Sequence, residues 1–410
     1  MRDIKFSELY KTPLKNGLNR PTKDRSSGYK MVNMGEIFAY DRIHDVDMEL
    51  VLVSENEKHY FLEEGDLLFA RQSLVFSGAG KCSIFMGEST PTTFEGHIIR
   101  VRIDENLADP LYYFYYFNST NGRCSIETIV EQVSAVGIRG SDLSNLMVQY
   151  PPLETQKEIA NILRTLDDKI ELNRRMNKTL EEIAQTLFKH WFIDFEFPNA
   201  EGKPYKSSGG EMVDSELGLV PKGWRVGKLE ELGRIVTGKT PSTIIDSYYG
   251  SDIQFITIPD MHNSTYVTKT QKMLSKAGAD SQKAQYIPKE SLCVSCIATL
   301  GLVSLTSELS QTNQQINSII PYRPDNCYFT YVSARNLSQF IKGSGSRGSV
   351  FSNLNKGIFS KIQIVMPKNE LVERYCKLVK KMFELIYTNL NENEQTEKQK
   401  TLLLIAIIGR

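Results

Sequence analysis

Cysteine is scarce in this chain, six residues in 410, and no dense framework of them exists. That excludes a small disulfide-stapled scaffold and leads us to expect reduced thiols in a cytoplasmic protein. Long apolar runs are missing as well. The longest, Leu402 to Ile408, falls far short of the roughly 20 residues a membrane helix needs. The opening stretch MRDIKFSELYK is too polar for a secretory signal. Histidine is rare, five residues with no ligand spacing, and net charge is absent, with 49 basic against 49 acidic side chains. The bulk therefore lacks the basic excess that nucleic-acid binding usually brings.

Charge by segment is more telling than the total. Residues 1–153 carry 16 Lys and Arg against 21 Asp and Glu, whereas residues 215–367 carry 16 against 10. A chain of this length supports two or three cores, and the two stretches differ by eleven charges. DNA binding by the first would rest on a local basic surface, because its net charge repels phosphate.

What is present is an internal repeat, the first thing to seek in a long chain. FSEL (6–9) matches LEEL (229–232), and YKMVNMGEI (29–37) matches IQFITIPDM (253–261). FLEEGDLLFA (61–70) matches YIPKESLCVS (286–295), TFEGHII (93–99) matches NQQINSI (313–319), and LMVQYPPLE (146–154) matches IQIVMPKNE (362–370). Each match is weak, but all keep one order at offsets of 216 to 225. The matched pieces are short alternating or apolar runs punctuated by Gly, Pro, Asn and Ser, which reads as strands and turns.

Each copy ends at a proline, Pro151-Pro152 or Pro367, where the pattern becomes helical. Ile159, Ile162, Leu163, Leu166, Ile170, Met176, Leu180, Ile183, Leu187 and Trp191 form one stripe. The stripe implies a helix of about 38 residues, a rod of roughly 57 Å. A second stripe runs from Glu370 through Tyr375, Leu378, Val379, Met382, Leu385 and Ile386 to Leu402–Ile405, with a polar middle, NLNENEQTEKQK (389–400). Two such stripes bury each other most simply as an antiparallel coiled coil about a pseudo-two-fold axis. Asn173 and its repeat mate Asn389 fall on the stripes near mid-helix, so they are expected to approach each other and fix register.

Two alike modules on a rigid rod suit a reader of two DNA half-sites, since duplex faces recur every 34–36 Å or so. They suit a bivalent protein-binding scaffold equally. Catalytic motifs do not intervene. Gly78-Ala79-Gly80-Lys81-Cys82 mimics a phosphate loop with Val75 and Cys82 at the wrong places. Gly343-Ser344-Gly345-Ser346-Arg347-Gly348 follows no convincing strand, and Cys293 with Cys296 reads as two core thiols rather than zinc ligands. Leu111 to Phe117, aromatic almost throughout, reads as a helix packed on a sheet. Trp191, Phe192, Phe195 and Phe197 read as a domain-packing knot, with a partner-docking patch as the alternative.

WFIDFEFPNAEGKPYKSSGGEMVDSELGLVPKGW (191–224), GRIVTGKTPST (233–243) and QKEIANILRTLDDKIELNRRMNKTLEEIAQTLF (156–188) resemble the specificity subunit of type I restriction–modification enzymes. The resemblance spans essentially the whole chain. It implies a mixed α+β fold: two globular α/β target-recognition domains joined by two long helices in an antiparallel coiled coil. Residues 1–153 would be the first domain, 154–197 the central spacer helix and 198–222 a linker. Residues 223–367 would be the second domain and 368–410 the C-terminal spacer helix. It also implies a non-catalytic chain without cofactor or metal, reading split double-stranded DNA. The expected partners are two modification (methyltransferase) subunits and restriction subunits, which would bring S-adenosylmethionine, ATP and Mg.

Base readout needs Arg, Lys, Asn or Gln on loops, with Ser, Thr and backbone for phosphate. Thr237-Gly238-Lys239-Thr240-Pro241-Ser242 offers a glycine turn, a cation and hydroxyls. Its counterpart is Lys15-Asn16-Gly17-Leu18-Asn19-Arg20. The candidates are thus Asn16, Asn19, Arg20, Lys239, Thr240 and Ser242, then Arg71, Gln72 and Lys81 beyond residues 65–70. Lys342 and Arg347 form a third group in a loop 343–349, loosely matched by Arg139. A solvated surface turn is the competing account of each.

Overall fold

The computed structural model describes residues 2–21, 27–132, 136–296, 301–344 and 354–408. The chain forms two units, one from Met1–Ile170 with Gln395–Arg410 and the other from Glu171–Glu394. Each unit takes a module together with part of both long helices.

In the first unit the five-stranded sheet runs in the order Tyr10–Asn16, Ile98–Ile103, Leu67–Ala70, Cys82–Phe85, Arg42–Ile43. Its pairs are antiparallel except the last, which is parallel. A three-stranded sheet orders Glu49–Val51, Tyr29–Val32, Thr92–Phe94, the last pair again parallel. Arg2–Lys5 pairs with Met147–Tyr150. Alternation along the strands sends Leu67, Phe69, Ile99, Val101 and Ile103 to one core, shared with the helix Pro110–Asn118. Leu68, Ala70 and Ile98 enter a smaller core on the other face. The tyrosines and phenylalanines of that helix are buried throughout, as core packing rather than base stacking requires.

The second unit repeats this strand for strand. Its five-stranded order is Gly233–Thr237, Ile316–Pro321, Leu292–Ser295, Val303–Thr306, Tyr266–Val267, with the same parallel final pair. Its three-stranded order is Lys272–Leu274, Tyr249–Ile256, Ser310–Thr312, and Arg225–Lys228 pairs with Gln363–Met366. One sequence match shifts: Thr92–Phe94 corresponds to Ser310–Thr312 and Ile98–Ile103 to Ile316–Pro321, two residues earlier than the pairing of 93–99 with 313–319. Short apolar strands tolerate such a slip in sequence, but ladder pairing does not. The first unit also holds a small sheet of Glu131–Gln132, Val136–Gly137 and Gln72–Ser73. Matching stretches of the second unit lie outside the described residues.

The central helix runs Leu153–Phe188 and continues through a wider turn at Lys189–Ile193, and the C-terminal helix runs Asn369–Leu403. Within the second unit they pair antiparallel. Trp191 meets Tyr375 at 6.3 Å between ring centroids, the Tyr375 hydroxyl donates to the Ala184 carbonyl at 2.9 Å, and asparagines meet lower down. Asn173 and Asn389 are buried, but they do not bond to each other. The Asn173 amide donates to Asn393 Oδ1 at 2.9 Å and to Glu392 at 2.8 Å, and Asn389 donates to Asn177 Oδ1 at 2.8 Å. An antiparallel pair brings repeat mates level at one height only, and here Asn173 lies against Asn393 and Asn389 against Asn177. In the linker Phe197 stacks between Tyr205, at 4.6 Å, and Trp224, at 5.2 Å. With Trp191 and Phe192 in the same core, the aromatic run is a packing knot.

Candidate nucleic-acid interface

The first strand of each five-stranded sheet ends in the same backbone turn. Gly17 follows Asn16, and Gly238 follows Thr237. A Cβ on Gly17 would lie 2.1 Å from the Phe94 carbonyl oxygen, and one on Gly238 the same distance from that of Asn313. Only glycine permits so close an approach. The next amides then bond equivalently, Leu18 to the Phe94 carbonyl at 2.8 Å and Lys239 to that of Thr312 at 2.9 Å. Chains leaving these turns carry the sequence candidates.

In the second unit the loop is pinned from below and open above. Gln282 donates to the Lys239 carbonyl at 2.7 Å, Thr240 donates to Gln314 at 2.7 Å, and the Tyr249 hydroxyl donates to the Pro241 carbonyl at 3.2 Å. The Lys239 and Ser242 side chains are exposed, while the Thr240 hydroxyl is used internally. Fixed backbone with free polar tips is what groove or phosphate binding requires.

In the first unit Asn16 and Asn19 are exposed. Arg20 is spent within the fold, pairing with Glu57 at 2.6 Å and donating to the Leu52 carbonyl at 3.3 Å. That hydrogen bond, with backbone and hydroxyl help from Ser54, pulls the Glu57 carboxyl down to about 2. Lys81 is likewise engaged, 3.2 Å from Asp41 and donating to the Phe38 carbonyl. Arg71 is half-buried with its backbone bonded to His97 and Ile138, and Gln72 projects from the short strand Gln72–Ser73 into solvent. Arg139 pairs with Glu131 at 2.8 Å.

The third group fares differently. The helix Cys327–Ser344 includes Lys342, Gly343 and Ser344, so the loop expected at 343–349 begins later than its glycines suggest. The Lys342 side chain and the whole of Arg347 lie outside the described residues.

Sequence reasoning missed a cation cluster in the acidic first unit. Lys15, Arg100 and Arg102 lie together on neighbouring strands. Arg102 forms a two-pronged pair with the buried Asp66, both bonds 2.7 Å, and a further pair with Glu63. Arg100 is buried, donates to Thr12 at 3.4 Å, and its Nε has no partner among the described residues. Burial, then Arg100 and Arg102, push the Lys15 ammonium pKa down, and Lys15 rests over the Tyr60 ring at 5.0 Å. The alternation of IIRVRI places both arginines on one strand face. Reading that face as solvent would have hidden the cluster, because this sheet is covered on both sides.

No group of three or more His, Cys, Asp or Glu is placed to hold a metal ion among the described residues. Cys293 is a buried strand residue whose thiol burial pushes up to about 12. No helix among the described residues is long and apolar enough to cross a membrane.

The duplicated architecture has known counterparts. The chain is 34% identical over 85% of its length, and 86% of the relative's, to the Type I restriction enzyme HindI specificity subunit of Haemophilus influenzae. It is 22% identical over 95% of its length, and 89% of the relative's, to the putative type I restriction enzyme MjaX specificity subunit of Methanocaldococcus jannaschii. In fold it is similar to the crystal structure of a type I restriction–modification system S subunit from M. genitalium, with a TM-score of 0.53 at 14% identity, covering 98% of this chain and 94% of that one. Residues 11–182 and 221–400 each match the family described as Type I restriction modification DNA specificity domain. Two matches of one domain, laid on two units that repeat each other strand for strand, place this chain in the type I restriction–modification DNA specificity family.

Proposed function

We propose that this chain is the sequence-reading subunit of a type I restriction–modification complex, each unit's module reading one half of a split duplex target. The observation that carries this is the pair of equivalent glycine turns at Gly17 and Gly238. The same backbone there presents Asn16 and Asn19 in one unit and Lys239 and Ser242 in the other. One scaffold with different donors suits two unlike half-sites. In this reading the chain catalyses nothing and works in the cytoplasm. Two modification subunits and the restriction subunits dock on it and supply the S-adenosylmethionine, ATP and Mg chemistry.

The test uses the chain assembled with its modification subunits. Duplex binding should weaken linearly in log–log terms as salt rises. Lys239→Ala combined with Arg347→Ala should lower affinity for one half-site and flatten the salt slope by about one for each phosphate that goes unpaired. Unchanged methylation at both half-sites would remove these residues from the interface. Salt-independent association, or none, would leave the bivalent protein scaffold as the better account.

A further inference from the structure

Midway along the paired helices, the second unit buries a layer that an apolar stripe does not need. Asn173, Asn177, Asn389 and Asn393 are all buried. Their amides bond crosswise, Asn173 to Asn393 at 2.9 Å and Asn389 to Asn177 at 2.8 Å. The repeat offset that relates Asn173 to Asn389 also relates Asn177 to Asn393. The two bonds are therefore one interaction used twice.

On the Trp191 side of the layer the apolar levels do not discriminate between registers, whereas beyond it Lys400 pairs across the helices with Asp167 at 2.6 Å. Trp191 meets Tyr375, and counting from that pair in steps of three and four sets Leu187, Ala184 and Leu180 level with Val379, Met382 and Ile386, all within one core. Sliding one helix by a heptad would still set apolar side chains against apolar ones. The asparagines break that degeneracy. A slide in one direction sets Asn173 and Asn177 against Ile386 and Met382. In the other it sets Asn393 and Asn389 against Leu180 and Ala184. Either way amides lose their partners inside an apolar layer, which costs far more than the native pairing gains. The layer therefore selects a register by penalising its rivals, not by packing best.

We infer that these four asparagines are a register lock, and that they are positioning residues for the spacing between half-sites this protein accepts. The second clause rests on the function proposed above. The first does not. On that reading, specificity for the gap depends on side chains that never touch DNA.

The experiment replaces all four with leucine in the full chain (Asn173→Leu, Asn177→Leu, Asn389→Leu, Asn393→Leu) and reads register directly. Cysteines introduced at 180 and 386 report the native register, and at 180 and 379 a one-heptad slide, with peptide mapping of the oxidised pair. With the asparagines present only 180–386 should join. With leucine the 180–379 bond should appear while thermal stability holds or rises. In the complex with modification subunits, preference for one gap length over its neighbours should fall on the order of tenfold. A folded leucine variant that joins only 180–386 would overturn the lock. Slippage with an unchanged gap preference would overturn its role in spacing. If the parent complex modifies no DNA the function proposed above fails, while the crosslinks still decide the lock. Should the fourfold variant not fold, Asn177→Leu with Asn389→Leu gives the same readouts.

Discussion

The two units share a topology and disagree about what they bury. At the turn entering the central strand of the large sheet, the first unit places Asp66 and the second, at the matching position, Ser291. Asp66 is wholly buried and bonded to Arg102, whereas the Ser291 hydroxyl is buried without a partner among the described residues. One strand over, Arg100 and Arg102 correspond to Ser318 and Ile320. The first interior carries charge, the paired Asp66 and Arg102 together with buried Arg100. The second is lined with neutral hydroxyls and amides, Ser304, Thr306, Gln311 and Thr312 among them. Strand order and pairing survived this exchange, so the fold is specified by which positions point inward and not by the chemistry found there.

A related contrast concerns how each module grips the central helix. Tyr115 and Tyr331 are repeat mates, and their hydroxyls donate to Asp167 at 2.7 Å and Glu181 at 2.6 Å. A cation completes each site, Lys400 beside Asp167 at 2.6 Å and Arg335 beside Glu181 at 2.8 Å. Both acids come from the same helix although the tyrosines come from different copies. The grip is therefore shared in kind but is not related by the repeat.

The largest expected effect tests the buried charges. Asp66→Ala should destabilise the first unit by roughly 3 kcal/mol, because the partly buried Arg102 loses both bonds to a buried carboxylate and keeps only Glu63. Ser291→Ala should be near neutral, since it deletes a hydroxyl that has no partner. Urea unfolding followed by hydrogen exchange separates the units, and equal costs would dissolve the contrast. A smaller effect concerns backbone. Gly65 has φ 88° and its mate Glu290 φ 60°, in turns that bond alike to Phe85 and Thr306. Glu290→Gly should stabilise by up to about 1 kcal/mol and Gly65→Ala should cost about 1–2 kcal/mol, as left-handed backbone demands. Thermal melts of the two variants moving in the same direction would show that the turns are not equivalent.

The smallest effect is electrostatic. Arg20 holds the Glu57 carboxyl down to about 2, so the pair's contribution is present above the ordinary glutamate range and is lost as pH falls towards 2. Both partners are partly exposed, and the gain is worth under about 1 kcal/mol. Arg20→Ala should raise the Glu57 titration, followed by NMR, part of the way to the ordinary range, since the Ser54 bonds remain, without altering DNA affinity. A drop in affinity would show that Arg20 contributes to DNA binding despite its pairing with Glu57.

How much was readable depended on the range of the interaction. The heptad stripe, the prolines that end each module and the five ordered matches are local patterns with a period, and sequence carries periods well. The candidate loops at Gly17 and Gly238 were legible for the same reason, a glycine between a strand and polar residues. The fate of their side chains was not. Arg20 and Lys81 are engaged by Glu57 and Asp41, partners 37 and 40 residues away, and nothing near them in the chain announces that.

Sequence by itself determined the duplication, the two long helices and two asparagines, Asn173 and Asn389, set on their stripes, whereas Asn177 and Asn393 came from the structure. Sequence placed Asn173 and Asn389 as mates. Only the tertiary structure decided that each bonds one turn away from its mate, because register is set by how the two helices pack on each other. Likewise it showed that Arg100 and Arg102 face a covered sheet, because burial depends on what packs above a strand and not on the strand. The glycine turns could be found by reading. Which of their side chains stay exposed and which are engaged within the fold took the tertiary structure to decide.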